Sequence, residues 1–94
     1  DALLLGIKLY KRLGEHHRLY PLLASYRDSF PDEAFIWVEL AKHFEHRERS
    51  FPEALRCARQ AAQLLPPTHG PEHLSIEKRI ARLSKKRTVE RAQV

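Results

Sequence analysis

The sequence contains little of what several protein classes require. Methionine is absent, cysteine occurs once and glycine three times among 94 residues. A single cysteine excludes a disulfide framework and a four-thiolate zinc site. The longest apolar run, Ala2–Leu5, is far shorter than the roughly 20 residues of a membrane span, and no secretory signal pattern is present. We therefore expect a cytoplasmic domain without a membrane span and, since no initiator methionine is present, a fragment of a longer protein.

Basic charge is concentrated near the C-terminus. The net charge is +5, and residues 71–94 contain seven Lys and Arg against three Glu, which leaves residues 1–70 nearly neutral. Such a segment can attract a nucleic-acid backbone, although the same charges also complement a helix dipole. No aromatic residue lies among them to stack on a base. The candidate nucleic-acid contacts are Arg82, Lys85, Lys86 and Arg87.

Apolar residues recur at spacings of three and four along most of the chain, which is the pattern of amphipathic helices. The predicted helices cover about residues 2–13, 17–29, 33–47 and 51–65, and a last one begins near 71. No segment shows the strict alternation of a half-buried strand. The pattern predicts an all-α fold.

Turn and cap residues predict where these helices begin and end. Gly14 is expected to end the first helix, and Pro21 to lie in or near the first turn of the second. Asp32 is the expected N-cap of the third helix. Ser50 and Glu53 have the spacing of a capping box at the start of the fourth.

The helices repeat along the chain with a period of 34 or 35 residues. Leu3 and Trp37 are 34 apart, and Leu23 and Ala58 are 35 apart. In the second copy, mostly bulky residues on one helix are followed by alanines on the next helix and a proline after it. They are Trp37, Leu40, Ala41 and Phe44, then Ala54, Ala58, Ala61 and Pro66. This pattern resembles the tetratricopeptide (TPR) family. The resemblance implies that Trp37 and Phe44 are largely buried against the alanines of the next helix.

The TPR resemblance also implies a domain organisation. It predicts a short α-solenoid over residues 1–87, made of two TPR-like helix hairpins, 1–32 and 33–67, and a C-terminal capping helix, 71–87. The apolar repeat stops after that helix, so residues 88–94 are predicted to form a frayed basic tail.

A narrower resemblance suggests a neighbour for this module. The run Trp37–Arg47, followed by Phe51–Leu55 and a basic end helix, is similar to the C-terminal helical-repeat tail of certain bacterial proteins. Those proteins have a predicted ribonuclease H-like exonuclease domain. The resemblance implies a catalytic domain N-terminal to this segment and no activity within it.

Catalytic and metal-binding patterns are missing from the sequence. His43 and His46 are three apart, and His69 and His73 are four apart, but a zinc site usually needs three or four ligands. Cys57 has alanines as its helix neighbours, no serine has a recognisable His and carboxylate partner, and there is no Gly-rich phosphate loop. We expect no enzyme activity, no cofactor and no metal.

The TPR resemblance implies a binding surface on the concave face, which the first helix of each pair lines. Lys8 and Lys42 are 34 residues apart and are expected side by side, with Arg12 and His46 one turn further along and Val38 nearby. We expect this surface to bind an acidic, partly apolar protein segment or the parent protein's own N-terminal domain. The alternative is a nucleic-acid accessory role for the basic C-terminal helix.

The N-terminal edge is expected to form a second contact surface. Three repeats are usually needed to cover a solenoid's apolar faces, and this sequence contains fewer. Leu3, Leu4 and Leu5 are expected to leave an apolar patch that pairs with another chain. Self-association through this edge is therefore expected.

Overall fold

A computed structural model describes the backbone of residues 2–66, 68 and 70–92, and the side chains of residues 4–66, 68 and 70–86. Five helices and no strand lie within these residues. The helices are α1 (Ala2–Leu13), α2 (His16–Ser29), α3 (Ala34–His46), α4 (Phe51–Leu64) and α5 (Gly70–Ala92). Each helix packs against the next along the chain. The fold is therefore all-α, a short solenoid-like arrangement of the hairpins α1–α2 and α3–α4 with α5 at its end.

Gly14 ends α1, as predicted. Its φ is +71°, a left-handed conformation that glycine adopts without a steric cost. The Gly14 N–H donates to the Lys11 carbonyl at 3.2 Å, and the Glu15 N–H donates to the Tyr10 carbonyl at 3.0 Å. These two bonds are those of a Schellman motif, which satisfies the last carbonyls of α1.

The prediction for Pro21 is wrong. The tight turn after Gly14 lets α2 begin at His16, so Pro21 is an interior residue of the helix, beyond its first turn. Proline has no N–H to donate to the carbonyl of His17, four residues earlier. Packing of Leu19 and other apolar residues against the core offsets this loss.

The predicted N-cap of α3 and the predicted capping box of α4 are also wrong. The N-cap position of α3 is Glu33 and not Asp32, and its side chain makes no capping bond within the described residues. Ser50 does occupy the N-cap of α4, but here too the described part of the chain shows no bond from its side chain to the helix. The capping box expected from Ser50 and Glu53 is therefore not formed.

The core lies where the helices meet and includes residues of all five. Its most buried members are Ile7, Leu23, Ile36, Leu40, Ala41, Ala54, Leu55, Ala58 and Leu83. Small side chains on α4 let α3 approach closely, as the repeat pattern predicts. Phe44 is buried, and Trp37 is partly buried against the core, with its indole N–H donating to the Pro31 carbonyl at 2.8 Å.

The last helix is longer than predicted. It continues to Ala92, so it does not end at residue 87. The segment after Leu83 is rich in Lys, Arg, Glu and Ala, which favour helix without an apolar repeat. None of the described helices combines the length and the apolar character that a membrane crossing requires.

Candidate functional site

A cavity of about 210 Å³ opens between α1, the start of α2 and α3, and we call it the basic cavity. Its lining residues are Lys11, His16, Leu19, Glu39, Lys42, His43, His46 and Arg47. Two lysines and an arginine stand against one carboxylate in this lining, so the cavity has an excess of positive charge.

Glu39 lies at the centre of this charge. The Lys11 ammonium donates to its Oε1 at 3.0 Å, and the Lys42 ammonium donates to the same oxygen at 3.4 Å. Glu39 is mostly buried, whereas both lysines are partly exposed. One carboxylate balances only one of the two ammonium groups, so the pair can accept a second anion.

Two of the predicted binding residues, Lys42 and His46, line the basic cavity. The residue that α1 brings to Lys42 is Lys11, rather than Lys8 or Arg12, which are exposed and do not line the cavity among the described residues. Ile7 explains the difference, because it is the buried residue of α1 and Lys11 follows it by four residues on the same helix face. The expected pairing of Lys8 with Lys42 is therefore corrected.

Val38 lines a second and larger cavity. It has a volume of about 730 Å³ and lies between the start of α3, the end of α4 and the start of α5; we call it the apolar cavity. Its apolar lining is Ala34, Phe35, Val38, Leu64, Leu65, Pro66, Pro71 and Ile76. Its charged lining among the described residues is entirely acidic: Asp32, Glu33, Glu39 and Glu72.

The two cavities adjoin, because Glu39 lines both of them. We call the two cavities together the groove. One half of the groove has an excess of positive charge, and the other half is apolar with an acidic rim. The groove is therefore electrically polarised along its length.

A buried carboxylate, Glu45 on α3, links α3 to α5. Arg82 binds it with two hydrogen bonds, from Nε to Oε2 at 3.0 Å and from Nη2 to Oε1 at 2.9 Å. Arg79 Nη1 donates to Oε1 at 2.9 Å, and Lys86 Nζ donates to Oε2 at 2.8 Å. We call these four residues the Glu45 cluster.

The cluster keeps Glu45 ionised although its side chain is fully buried. Burial raises the pKa of this carboxyl, but the hydrogen bonds from Arg82 and Lys86 outweigh burial and lower the pKa to about 2. Hydrogen bonding to Glu45 also raises the pKa of Arg82. Glu45 is therefore ionised at neutral pH.

The Glu45 cluster takes up two of the four predicted nucleic-acid contacts. Arg82 and Lys86 bind Glu45, and Lys85 is exposed. The side chain of Arg87 lies outside the described residues. The basic excess of the C-terminal helix thus serves in part to neutralise a buried acid.

Sequence reasoning missed the Glu45 cluster, although the sequence contains a signal for it. Glu45 and Arg79 are 34 residues apart, so the repeat period places them side by side. Arg79, Arg82 and Lys86 follow one another at spacings of three and four, which puts them on one face of α5.

His43 and His46 point to different environments. The His43 ring is largely buried and stacks on Tyr20 with ring centres 4.7 Å apart. Its two nitrogens make no hydrogen bond within the described part of the chain, and the Glu48 carboxylate lies 3.5 Å from its Nε2. His46 is exposed. The two rings do not share a ligand position.

His73 connects the end of α4 to α5. Its Nδ1 lies 2.9 Å from the Leu65 carbonyl oxygen, and its Nε2 lies 3.0 Å from a Glu77 carboxylate oxygen. His69, its predicted neighbour, lies outside the described residues. Among the residues that the structure does describe, no group of three or more His, Cys, Asp or Glu is arranged to hold a metal ion.

Cys57 is a buried core residue of α4. Burial, with a smaller contribution from the Glu53 carboxylate, raises the pKa of its thiol to about 11. The thiol is therefore protonated at neutral pH, whereas an activated nucleophile needs the thiolate.

No family model, no curated protein and no solved structure matches this chain.

Proposed function

We propose that this chain is a non-catalytic, TPR-like protein-interaction module that binds an acidic, partly apolar protein segment in the groove. The observation that supports it most is the sharing of one Glu39 oxygen by Lys11 and Lys42. With Arg47 in the same lining, the basic cavity keeps positive charge that a ligand carboxylate can balance. The segment belongs to another cytoplasmic protein or to the parent's own N-terminal domain.

The apolar cavity supports binding of the less polar part of the same segment. Val38 and Phe35 offer it apolar surface at the start of α3, and Ile76 does so from α5. Burial of ligand side chains there contributes about 25 cal/mol for each Å² removed from water. The acidic rim repels carboxylates, so the acidic residues of the segment lie in the basic cavity and its apolar residues in the apolar cavity.

The Glu45 cluster makes nucleic acid the weaker proposal. A phosphate that approached Arg82 or Lys86 would compete with a buried carboxylate that already binds them. Lys85 is exposed, but a single lysine supplies little of the salt-dependent affinity that nucleic-acid binding needs.

The proposal is tested with a fluorescent extended peptide that has acidic residues followed by apolar ones, read by fluorescence anisotropy. Lys42→Gln should weaken binding about tenfold, because a hydrogen bond to a charged group is lost. Lys78→Gln is the matched control, since Lys78 is an exposed lysine of α5 outside the groove lining. It should leave the affinity unchanged.

Two results would contradict the proposal. The first is equal affinity for a peptide in which lysines replace the acidic residues. The second is tighter binding of a single-stranded oligonucleotide than of the peptide, with an affinity that falls log-linearly with salt and is weakened in the double variant Lys85→Gln and Arg87→Gln. That second result would move the function to the C-terminal helix.

A further inference from the structure

The outer face of α1 presents a stripe of leucines to solvent. Leu5, Leu9 and Leu13 are 68%, 51% and 61% exposed, and their four-residue spacing places them on one helix face. Ile7, on the opposite face, is buried in the core. We call Leu5, Leu9 and Leu13 the leucine stripe.

This concentration of exposed leucine is unlike the rest of the described surface. Among the described large apolar side chains, the leucine stripe and Leu74 are the most exposed, and Leu74 lies apart from the stripe on α5. Single exposed apolar residues are normal on a protein surface, whereas several in one patch mark a contact surface. The predicted N-terminal patch thus extends along α1 through Leu5, while Leu4 packs against the core and the side chain of Leu3 lies outside the described residues.

Charge around the leucine stripe selects its partner. Lys8 and Arg12 follow Leu5 and Leu9 by three residues each, so they lie beside the stripe. Both are exposed, and neither forms an ion pair within the described part of the chain. The helix has three basic residues and no acidic one. Two copies packed through this face would bring like charges together, which costs binding energy.

We propose that the leucine stripe docks an amphipathic helix of a partner protein, whose own apolar stripe is flanked by Glu or Asp. Leucines at four-residue spacing pack into the grooves of a facing helix, as in other helix pairs. The acidic flanks of the partner pair with Lys8 and Arg12. This surface is separate from the groove, because none of these residues lines either cavity within the described chain.

The test uses two synthetic helical peptides of about 14 residues, close to the length of α1. Both have leucines at spacings of three and four, and they differ only in having glutamates or lysines beside those leucines. Isothermal titration calorimetry should detect binding of the acidic peptide and none of the basic one. Lys8→Glu combined with Arg12→Glu should reverse this preference, because the charges beside the stripe are inverted.

A matched pair of leucine variants locates the contact. Leu9→Gln should weaken binding of the acidic peptide about tenfold, because a leucine buried in the complex is lost. Leu74→Gln removes a leucine of nearly equal exposure, 52%, from α5 and should leave the affinity unchanged. Weaker binding of this peptide in Lys42→Gln but not in Leu9→Gln would place the peptide in the groove and overturn the proposal.

Three further outcomes would overturn the proposal. Equal binding of both peptides would show that charge does not select the partner. Absence of binding by either peptide would show that the stripe does not dock a helix. Sedimentation equilibrium that shows a dimer, abolished by Leu9→Gln and not by Leu74→Gln, would assign the stripe to a second copy of this chain.

Discussion

The same repeat position lies where α1 meets α3 and where α3 meets α5, but its residue is partly exposed at the α1 junction and fully buried at the α5 junction. Residues 11, 45 and 79 lie 34 apart, so they occupy the same place in α1, α3 and α5. Lys11, at the junction of α1 with α3, is partly exposed and shares a single carboxylate oxygen with Lys42. Glu45, at the junction of α3 with α5, is fully buried and receives four hydrogen bonds from three cations.

Burial explains why the same position has different consequences. Exposed ion pairs contribute little to stability, since water solvates both charges well without the pair. Water cannot solvate a buried charge in this way. Removal of its partners, or of the charge itself, therefore lowers the free energy of unfolding strongly. The lysines at the α1 junction therefore stay accessible to solvent, whereas the Glu45 cluster at the α5 junction holds α5 against α3.

The largest expected effect comes from Glu45→Gln. The amide cannot neutralise Arg79, Arg82 and Lys86, and we expect a loss of about 3 kcal/mol in the free energy of unfolding. Urea denaturation followed by circular dichroism measures it. Asp28→Asn, which removes an exposed carboxylate paired with Arg27, is the control and should cost far less. Equal losses in the two variants would contradict a structural role for the cluster.

The pH dependence of the free energy of unfolding should report the ionisation of the Glu45 carboxyl. The folded-state pKa of Glu45, about 2, lies below its ordinary value of 4.5, so the ionised group stabilises the fold fully above about pH 4.5. This contribution is lost as the pH falls toward 2. The difference in unfolding free energy between the wild type and Glu45→Gln should therefore shrink between pH 4.5 and 2. A difference that stays constant over this window would mean that folding does not lower the pKa of Glu45.

A smaller effect is expected where α3 packs on α4. Ala58 is almost completely buried there, and Ala58→Leu should overpack the contact and cost about 1–3 kcal/mol. Ala81→Leu places the same larger side chain at an exposed site of α5 and should be nearly neutral. The measurement is the melting temperature of each variant. An unchanged value for Ala58→Leu would show that α3 and α4 are not closely packed.

The smallest effect on the free energy of unfolding should come from the α1 junction. Lys11→Gln removes one exposed ion pair and leaves Lys42 on Glu39, so we expect a change below about 1 kcal/mol in unfolding free energy. The measurement is the same urea titration as for Glu45→Gln. A loss as large as that of Glu45→Gln would mean that charge also closes the α1 junction, and the comparison between the two would fail.

Much of the fold could be predicted from the sequence, because its signals are local. The spacing of apolar residues and the break at Gly14 place the helices to within a few residues. Ala54, Ala58 and Ala61 of α4 are buried, as the repeat pattern predicts. Helix caps were predicted less well. Glu33, and not Asp32, occupies the N-cap of α3, and Ser50 occupies the predicted N-cap of α4 but its side chain makes no capping bond in the described chain.

The groove could be predicted only in part, for a reason visible in α1. Apolar residues surround this helix almost completely, so its sequence does not say which side faces α3. Packing buries Ile7, and that choice brings Lys11 to the groove and leaves Lys8 in solvent. The burial of Glu45 has a similar cause, since it depends on where α5 packs and not on the residues next to Glu45.

The spacing of the Glu45 cluster along α5 has a mechanical consequence for the groove. Arg79 and Lys86 are about 10 Å apart along the helix axis, yet both reach one carboxylate. A helix held in this way can neither roll about its axis nor slide by a turn without breaking several bonds at once. Since α5 also supplies Pro71 and Ile76 to the wall of the apolar cavity, Glu45 helps to fix the position of a wall that it does not line.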